Sequence, residues 1–369
     1  MTQSRRMLVL RAVVEDYIRS QEPVGSTSLT RDHDLGVSSA TIRNDMAALE
    51  DEGYLIQPHT SAGRVPTEKG YRYFVDRLAT VVPLSEAQRR GINSFLSGSV
   101  SLKDALQRSA RLLSEITGQV AVVASPSLAK ATLRHVEMVP VAMTTLLAVV
   151  ITDTGRVAQH GLTIASMPAV DEINRLSNTV NEQCDGLSLS KSAETGIDIS
   201  SSELRQRVAD ALADAFESMA LDERADELYM SGTSHLAHSR SLADLAPLFD
   251  ALEEQVVLMK LMSNLSEETN ASGVGVAIGS EMHTPGLLHA SVVSSGYGRS
   301  GAAGEPAGND PVGEPETESE TESQTNDTEP IAFVGSIGPT HMDYAATMAA
   351  VRAVARYLTA FLSEGRTQD

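Results

Sequence analysis

The sequence predicts an α+β protein in which an N-terminal winged helix-turn-helix precedes an α+β domain that a helical insert interrupts. Three observations support this prediction. The first 53 residues contain three segments whose apolar residues recur at helical spacing, and two short β-type segments follow them. From residue 119 onward, runs of β-branched residues are bounded by Gly, Pro and Asp. A helical tract at about 170–228 separates the early runs from the later ones.

The first two helices are predicted from short patterns near the N-terminus. The apolar residues that share one face of the first helix are Leu10, Val13, Val14, Tyr17 and Ile18. The segment EPVG, residues 22–25, ends that helix because proline cannot continue it. Ser26 is expected to cap a second, short helix. Leu29 faces inward in this helix, and Gly36 then turns the chain.

The third helix is predicted over the segment SSATIRNDMAALEDEG. Its serines offer an N-cap, and Gly53 ends it. Ile42, Met46 and Leu49 form a buried stripe at positions i, i+4 and i+7. At about 100° per residue, the opposite face is centred on small and polar residues. These are Ala40, Asn44, Ala47 and Ala48, flanked by Thr41 and Arg43.

That opposite face suits the major groove of DNA. Alanines let a helix approach closely and can contact a thymine methyl group. Asn44 can pair with an adenine edge, Arg43 can bind guanine or phosphate, and the helix N-terminus favours phosphate. The alternative, for such a helix in isolation, is a solvated surface. The pattern that follows the helix favours DNA.

A β-hairpin is predicted directly after the third helix. Residues 54–57 form the first strand, residues 58–63 a turn, and Arg64 and Val65 a second strand. Another helix begins at Thr67, whose hydroxyl can cap it. Three helices followed by a hairpin are typical of a winged helix-turn-helix, in which the turn is the wing.

The candidate DNA-binding residues come from four parts of this head, residues 1–80, and offer donors and small side chains suited to phosphates and base edges. The start of the second helix supplies Ser26 and Thr27. The third helix and its N-terminus supply Ser38, Ser39, Ala40, Thr41, Arg43, Asn44 and Ala47. The wing supplies His59, Thr60, Ser61 and Arg64. The helix beyond the wing supplies Lys69, Tyr71 and Arg72.

Four segments resemble the HrcA family of heat-inducible transcription repressors. They are EPVGSTSL, GVSSATIRNDMAALEDEGYL, PHTSAGRVPTEKGYRYFVD and, far downstream, IGPTHMDY. The resemblance implies a repressor of chaperone operons, without enzymatic activity, that binds an inverted-repeat operator (the CIRCE element) as a homodimer and is released on heat stress. It also implies a GroEL-like chaperonin as modulator, which members of the family need for productive folding.

The rest of the chain resembles the GAF-like domain of that family, which carries an inserted dimerisation domain. The expected boundaries are 1–80 for the winged helix, 81–100 for a linker, 101–170 for the first GAF-like part, 171–228 for the helical insert, 229–298 for the second GAF-like part, 299–329 for an acidic insertion, and 330–369 for the last strand and helix. Apolar residues of the insert supply either a dimer interface or its core. They are Leu204, Val208, Leu212, Phe216 and Met219.

The body offers little sign of catalysis, and no cofactor, metal or catalytic residue is expected. His235 and His238 stand at i, i+3, but no third ligand follows at a suitable spacing. Cys184 is the only cysteine and is expected to be a small buried residue. Glu281, His283 and His289 are expected at the surface. The alternative function is a ligand- or metal-sensing regulator that uses the GAF-like body.

The charge is unevenly distributed along the chain. The net charge is -20, yet residues 1–80 hold ten Lys or Arg and eleven acidic residues. The segment 299–329 holds nine acidic residues with Arg299 as its only Lys or Arg, and it has too few apolar residues to bury a core, so we expect it to be disordered. The apolar runs are too short to span a bilayer, and the N-terminus lacks a signal pattern. A cytoplasmic protein is therefore expected, with no membrane partner.

Overall fold

The computed structural model describes residues 2–59, 62–78, 84–127, 131–194, 203–221, 227–234, 252, 255–267, 273–298 and 330–364. Within these ranges the chain forms a head of helices with a small hairpin, a five-stranded sheet flanked by helices, and a three-stranded sheet packed against further helices. All strand pairs are antiparallel. This mixture of helices and antiparallel sheets agrees with the predicted α+β class.

The head contains four helices and one hairpin. Its elements are α1 (Thr2–Ser20), α2 (Ser26–Asp32), α3 (Ser39–Asp51), β1 (Leu55–Ile56), β2 (Val65–Pro66) and α4 (Glu68–Tyr73), which continues as a π-helical turn (Phe74–Leu78). The apolar stripes of the helices meet in one core, where Leu10, Leu29 and Leu49 are fully buried. Ser38 and Thr67 cap α3 and α4 through their hydroxyls, as predicted.

Beyond the head, the chain forms the strands and helices of the two larger sheets and their surroundings. The strands are β3 (Val120–Ala124), β4 (Leu133–Ala142), β5 (Thr145–Thr152), β6 (Val157–Thr163), β7 (Leu228–Ser231), β8 (Gly275–Ile278), β9 (Ala290–Tyr297) and β10 (Ala332–Pro339). The helices are α5 (Glu86–Leu96), α6 (Leu102–Thr117), α7 (Val170–Cys184), α8 (Leu189–Glu194), α9 (Glu203–Leu221), α10 (Gln255–Glu267) and α11 (Tyr344–Glu364).

The five-stranded sheet has the order β7-β3-β10-β9-β8. β10, late in the sequence, lies at its centre, where Val334 pairs with Val123 on β3 and with Ser295 on β9. Helix α11 packs on the sheet and buries Val351, Val354 and Leu358 completely. α11 is long and apolar enough to cross a membrane, but half of its apolar window is buried inside the protein, as expected for a core helix.

The three-stranded sheet, in the order β4-β5-β6, belongs to a separate unit. One face packs against α7 and α9 around a core that includes Val150, Leu176 and Phe216. The predicted insert is a helical segment at 171–228, whereas in the structure the strands β4–β6 share one core with these helices. We call residues 131–194 and 203–221 the inserted unit. Alternating apolar residues predict a strand correctly, but they do not show which sheet it joins.

The expected linker at 81–100 contains a helix, α5. Ser85 accepts a hydrogen bond from the backbone N–H of Gln88, whose side chain bonds back to the backbone N–H of Ser85. Ile92 and Leu96 are buried, and α5 packs against α6 and α11. The acidic insertion at 299–329 lies outside the described residues.

Candidate nucleic-acid interface

Helix α3 turns the predicted polar face away from the core of the head. Ile42, Met46 and Leu49 are buried on its inner side. The residues exposed on its other side and at its N-terminus are Ser38, Ala40, Arg43, Asn44 and Ala47. Ser39 and Thr41 are half-buried beside them. The spacing of apolar residues in the sequence therefore predicted the orientation of this helix correctly.

The two strongest base-reading candidates on α3 are not engaged by the protein itself. Within the described ranges, neither Arg43 nor Asn44 makes a side-chain hydrogen bond or ion pair. The first turn is ordered by Ser38, whose Oγ accepts a hydrogen bond of 3.3 Å from the Thr41 N–H and lies 3.0 Å from Thr41 Oγ1. The exposed face thus offers an amide and a guanidinium on a capped, rigid helix.

Ion pairs to α1 fix the rotation of α3. Asp45 lies on the inner side of α3 and is only 4% exposed. Arg5 donates to both of its oxygens, from Nε at 2.8 Å and from Nη2 at 3.0 Å, and this hydrogen bonding raises the pKa of the Arg5 guanidinium. Arg6 donates to Glu52 at 3.0 Å. The sequence contains a signal for this pair that was missed: an acidic residue beside Ile42 on a buried stripe requires a partner.

The hairpin is joined to the segment between α1 and α2. The main chains of Val24 and Arg64 exchange hydrogen bonds of 2.9 and 2.8 Å, so Val24 adds a third chain to the hairpin. A Cβ atom on Gly63 would lie 2.3 Å from the Val24 carbonyl oxygen, so only glycine fits there. Arg64 donates from Nε to Glu50 on α3 at 2.8 Å. This bond holds the base of the hairpin against α3.

The other candidates in the head have mixed positions. Thr27 and His59 are exposed, as DNA contact requires. Residues 60–61, Thr60 and Ser61, lie outside the described part of the chain. Lys69 is exposed, but its Nζ donates to the Glu52 carbonyl oxygen at 2.8 Å and so caps the C-terminal end of α3.

Two candidate DNA contacts are wrong because their side chains are buried. Ser26 is 8% exposed; it lies inside α2, where Gly25 takes the N-cap position, and its Oγ is 3.1 Å from Ser39 Oγ. It therefore links α2 to α3. Tyr71 is 3% exposed, and its ring centroid lies 5.9 Å from that of Tyr344 on α11. Burial at these positions removes both side chains from any DNA surface.

Arg72, predicted as a phosphate contact, connects the head to the five-stranded sheet in this structure. It donates from Nε to Glu281 at 2.8 Å, from Nη2 to the other oxygen of Glu281, and from Nη2 to the Val276 carbonyl oxygen at 2.7 Å. One turn earlier on α4, Glu68 accepts from the Ser280 Oγ at 2.5 Å and from its N–H at 3.3 Å. We call these contacts the head–body clamp. Glu281, expected as a plain surface residue, belongs to it.

In the described part of the body, the candidate catalytic and metal-binding side chains do not converge on one site. Cys184 is fully buried, and burial raises the pKa of its thiol. Among the described residues no cluster of three or more His, Cys, Asp or Glu is arranged to hold a metal ion, and His235 and His238 lie outside those residues. A cleft of about 530 Å³ lies between α1 and the turn after β10, lined in part by Arg11, Gln119 and His341. The ligand-sensing alternative stays a prediction.

Comparison with known proteins identifies relatives over the whole chain. Residues 103–348 match the model of the HrcA protein C-terminal domain. The chain is 96% identical, over the full length of both proteins, to the heat-inducible transcription repressor HrcA of Bifidobacterium longum (strain DJO10A). It is 72% identical, again over both full lengths, to the protein of the same name from Bifidobacterium adolescentis.

More distant similarities extend over the same length. The heat-inducible transcription repressor HrcA of Pseudarthrobacter chlorophenolicus is 44% identical over 98% of this chain and 99% of its own. A crystal structure described as a hypothetical protein at 2.2 Å resolution aligns with a TM-score of 0.55 and 21% identity, over 98% of this chain and 97% of the other, which supports the fold alone. The matched model and the full-length identities show that this chain belongs to the HrcA family.

Proposed function

We propose that this protein is a transcriptional repressor of heat-inducible genes that reads an inverted-repeat DNA operator through a winged helix-turn-helix. The observation that carries the proposal is the face of α3, where Arg43 and Asn44 stand exposed between small alanines. The relatives that share the whole chain are named heat-inducible transcription repressors, and their name supports the regulatory role. We expect the protein to act in the cytoplasm and to have no enzymatic activity.

The chemistry of the α3 face matches direct reading of bases. Ala40 and Ala47 have no bulk beyond Cβ and would let the helix enter the groove. Asn44 would form a bidentate pair with adenine, while Arg43 would bind guanine or a neighbouring phosphate. Thr27, Ser38 and the exposed His59 of the wing would contact the backbone. Residues that hold α3 in place, such as Asp45, act indirectly.

The proposed repressor acts as a dimer, because an inverted repeat presents two half-sites related by a two-fold axis. The apolar residues that we considered for this interface are core instead: Val208, Leu212 and Phe216 are fully buried and Met219 is 7% exposed. The side chain of Leu204 lies outside the described part.

A different surface supports dimerisation, namely the face of the three-stranded sheet that points away from α7 and α9. On β5, Leu147, Val149 and Ile151 alternate with buried residues and are half-exposed. Their register neighbours Val139 and Val157 are 40% and 55% exposed. An apolar sheet face left uncovered in one chain favours burial against a second copy.

Release from DNA on heat stress would depend on the folding of the whole chain rather than on one site. A GroEL-like chaperonin is proposed as modulator, on the basis of the family resemblance. The described residues form three hydrophobic cores, and a chain of this length folds through intermediates that expose apolar surface, which favours a role for assisted folding.

The test of the proposed function is a footprint of the purified protein on DNA upstream of chaperone genes. We expect a protected inverted repeat. Asn44→Ala should weaken binding to that repeat by about 10- to 100-fold, because a bidentate base contact contributes ~1–3 kcal/mol of discrimination, and it should leave binding to random DNA nearly unchanged. Arg111→Ala, which removes an exposed arginine on α6, is the control. Equal weakening of specific and random binding by Asn44→Ala would refute base reading.

A further inference from the structure

A groove lined by arginines runs between α5 and α11, on the body and away from the residues proposed to bind DNA. Its volume is about 770 Å³. The basic side chains that line it are Arg89, Arg352 and Arg356, and the apolar ones include Ile92, Tyr357 and Phe361. No aspartate or glutamate is among its lining residues. Such a groove is unexpected in a protein whose net charge is -20.

The arginines of this groove have no acidic partner in the structure. Within the described ranges, Arg89, Arg352 and Arg356 take part in no ion pair or side-chain hydrogen bond. Arg352 and Arg356 stand at i, i+4 on α11, where like charges destabilise a helix. Burial and the charge of Arg356 both lower the pKa of the Arg352 guanidinium. The groove therefore holds uncompensated positive charge that an anionic group would stabilise.

The acidic insertion leaves and rejoins the fold beside this groove. Its N-terminal end follows Gly298, whose N–H donates to Thr359 Oγ1 on α11 at 3.0 Å. At about 100° per residue, Thr359 lies within about 20° of Arg352 around the helix axis. The chain returns at Pro330, and Ile331 then donates from its N–H to the Tyr297 carbonyl oxygen at 3.1 Å. Both ends of the insertion are thus fixed at one place next to α11.

We propose that the acidic insertion, residues 299–329, binds in the arginine-lined groove between α5 and α11 of its own chain. The segment carries nine acidic residues and one arginine, Arg299. Its charge complements the groove. Its length is sufficient, because half of its residues, fully extended, reach ~50 Å, whereas the part of α11 that lines the groove, residues 349–361, spans ~18 Å.

This binding places an acidic peptide where the protein would otherwise present bare arginines. Without it, Arg89, Arg352 and Arg356 would attract the phosphates of nucleic acid without reading sequence. With it, α5 and α11 are held together by ion pairs that salt weakens. The tether also gives the segment a high effective concentration at the groove, on the order of millimolar for a flexible link.

The test uses the full chain and a fluorescent synthetic peptide of residues 303–329. One protein is wild type, and a second has all nine acidic residues of the insertion replaced by Gln or Asn. We expect the peptide to bind the neutralised chain at low salt and to bind the wild type at least tenfold more weakly, because the tethered segment already occupies the groove. Equal affinity for the two proteins would overturn the proposal.

The groove is tested by adding Arg352→Gln and Arg356→Gln to the neutralised chain. We expect this to weaken peptide binding at least tenfold, while Arg90→Gln with Arg111→Gln, which removes the same charge elsewhere, leaves it within twofold. Unchanged binding after the groove substitutions would refute the site. If the groove variant does not fold, the neutralised chain in molar salt replaces it, and peptide binding that survives the salt would be contrary to the proposal. A neutralised chain that binds random duplex DNA through the groove but not the peptide would also overturn it.

Discussion

The head–body clamp predicts a measurable coupling between Arg72 on α4 and Glu281 in the turn after β8. The test is a double-mutant cycle of Arg72→Met, Glu281→Gln and the pair. Methionine keeps part of the arginine stem. Glutamine keeps an oxygen that can accept the Ile278 N–H, which Glu281 accepts at 2.8 Å. Arg72→Met also loses the hydrogen bond to the Val276 carbonyl oxygen and the pair with Asp76, but these losses occur with and without Glu281 and cancel in the cycle.

The size of the coupling follows from the burial of the two side chains. Arg72 is 29% and Glu281 is 38% exposed, so the pair lies between a surface pair and a buried one. Exposed ion pairs contribute ~0.2–1 kcal/mol, whereas hydrogen bonds to charged groups contribute ~1.5–3 kcal/mol. Because two nitrogens of Arg72 bond the two oxygens of Glu281, we expect a value near the upper end for exposed ion pairs and near the lower end for hydrogen bonds to charged groups. We expect a coupling free energy of about 1–2 kcal/mol.

The assay is native-state hydrogen exchange of the α4 amides, for instance the Tyr71 N–H that donates to the Thr67 carbonyl oxygen. Loss of the pair should speed exchange there by about 5- to 30-fold. Exchange in α9, within the separate inserted unit, should not change. Arg111→Met on α6 is the matched control. Additivity of the two single changes within ~0.5 kcal/mol, or faster exchange throughout the molecule, would refute the clamp.

Three further predictions use other parts of the structure. Val149→Lys on the open face of the three-stranded sheet should raise the dimer dissociation constant, measured by sedimentation, at least tenfold. Asn178→Lys on α7 is the control and should leave it unchanged. An unchanged dimer in Val149→Lys would exclude this face as the interface. Cys184 should react with iodoacetamide only when the inserted unit opens, so native labelling as fast as that of a free thiol would contradict its burial. Burial and the hydrogen bond to Glu227 raise the pKa of Tyr229 to about 12. Above pH 10 the unfolded state loses this proton before the folded state does, so the free energy of unfolding should fall between pH 10 and 12. Urea unfolding at both pH values should show a smaller fall in Tyr229→Phe.

Local pattern predicted the elements of the head well, because α3 and α4 begin at hydroxyl caps and because α1 and α3 carry amphipathic stripes. Ser38, Thr67 and the turn at Gly53 lie where the sequence indicated. The exposed face of α3 followed from the positions of Ile42 and Leu49 alone. These features depend on contacts close in sequence, which short patterns encode.

Long-range arrangement could not be predicted in the same way. The strands β4–β6 looked like part of the larger sheet, since alternation along a strand does not specify its neighbour. The edge strand β7 spans four residues, and an alternation of apolar residues over so short a segment cannot be recognised in the sequence. The internal contacts of Arg72 and Tyr71 cannot be read from the sequence, because cations and aromatic hydroxyls next to a wing suit phosphate as well as they suit an internal contact. Only the fold shows that Glu281, 209 residues away, is the partner of Arg72.

The clamp connects α3, the helix proposed to read DNA, to the body. Glu68 and Arg72 hold α4 on the turn after β8, and a Cβ on Gly279 in that turn would lie 2.0 Å from Glu68 Oε1, so the contact depends on a glycine. Because the core of the head is continuous with that beneath the sheet, this core and the clamp together restrain the position of α3 relative to the body. In the proposed dimer, the body then sets the distance between the two copies of α3. In that proposal, loosening the body would change the spacing of the two helices, and the match to the inverted repeat would be lost without any change in the residues proposed to contact bases.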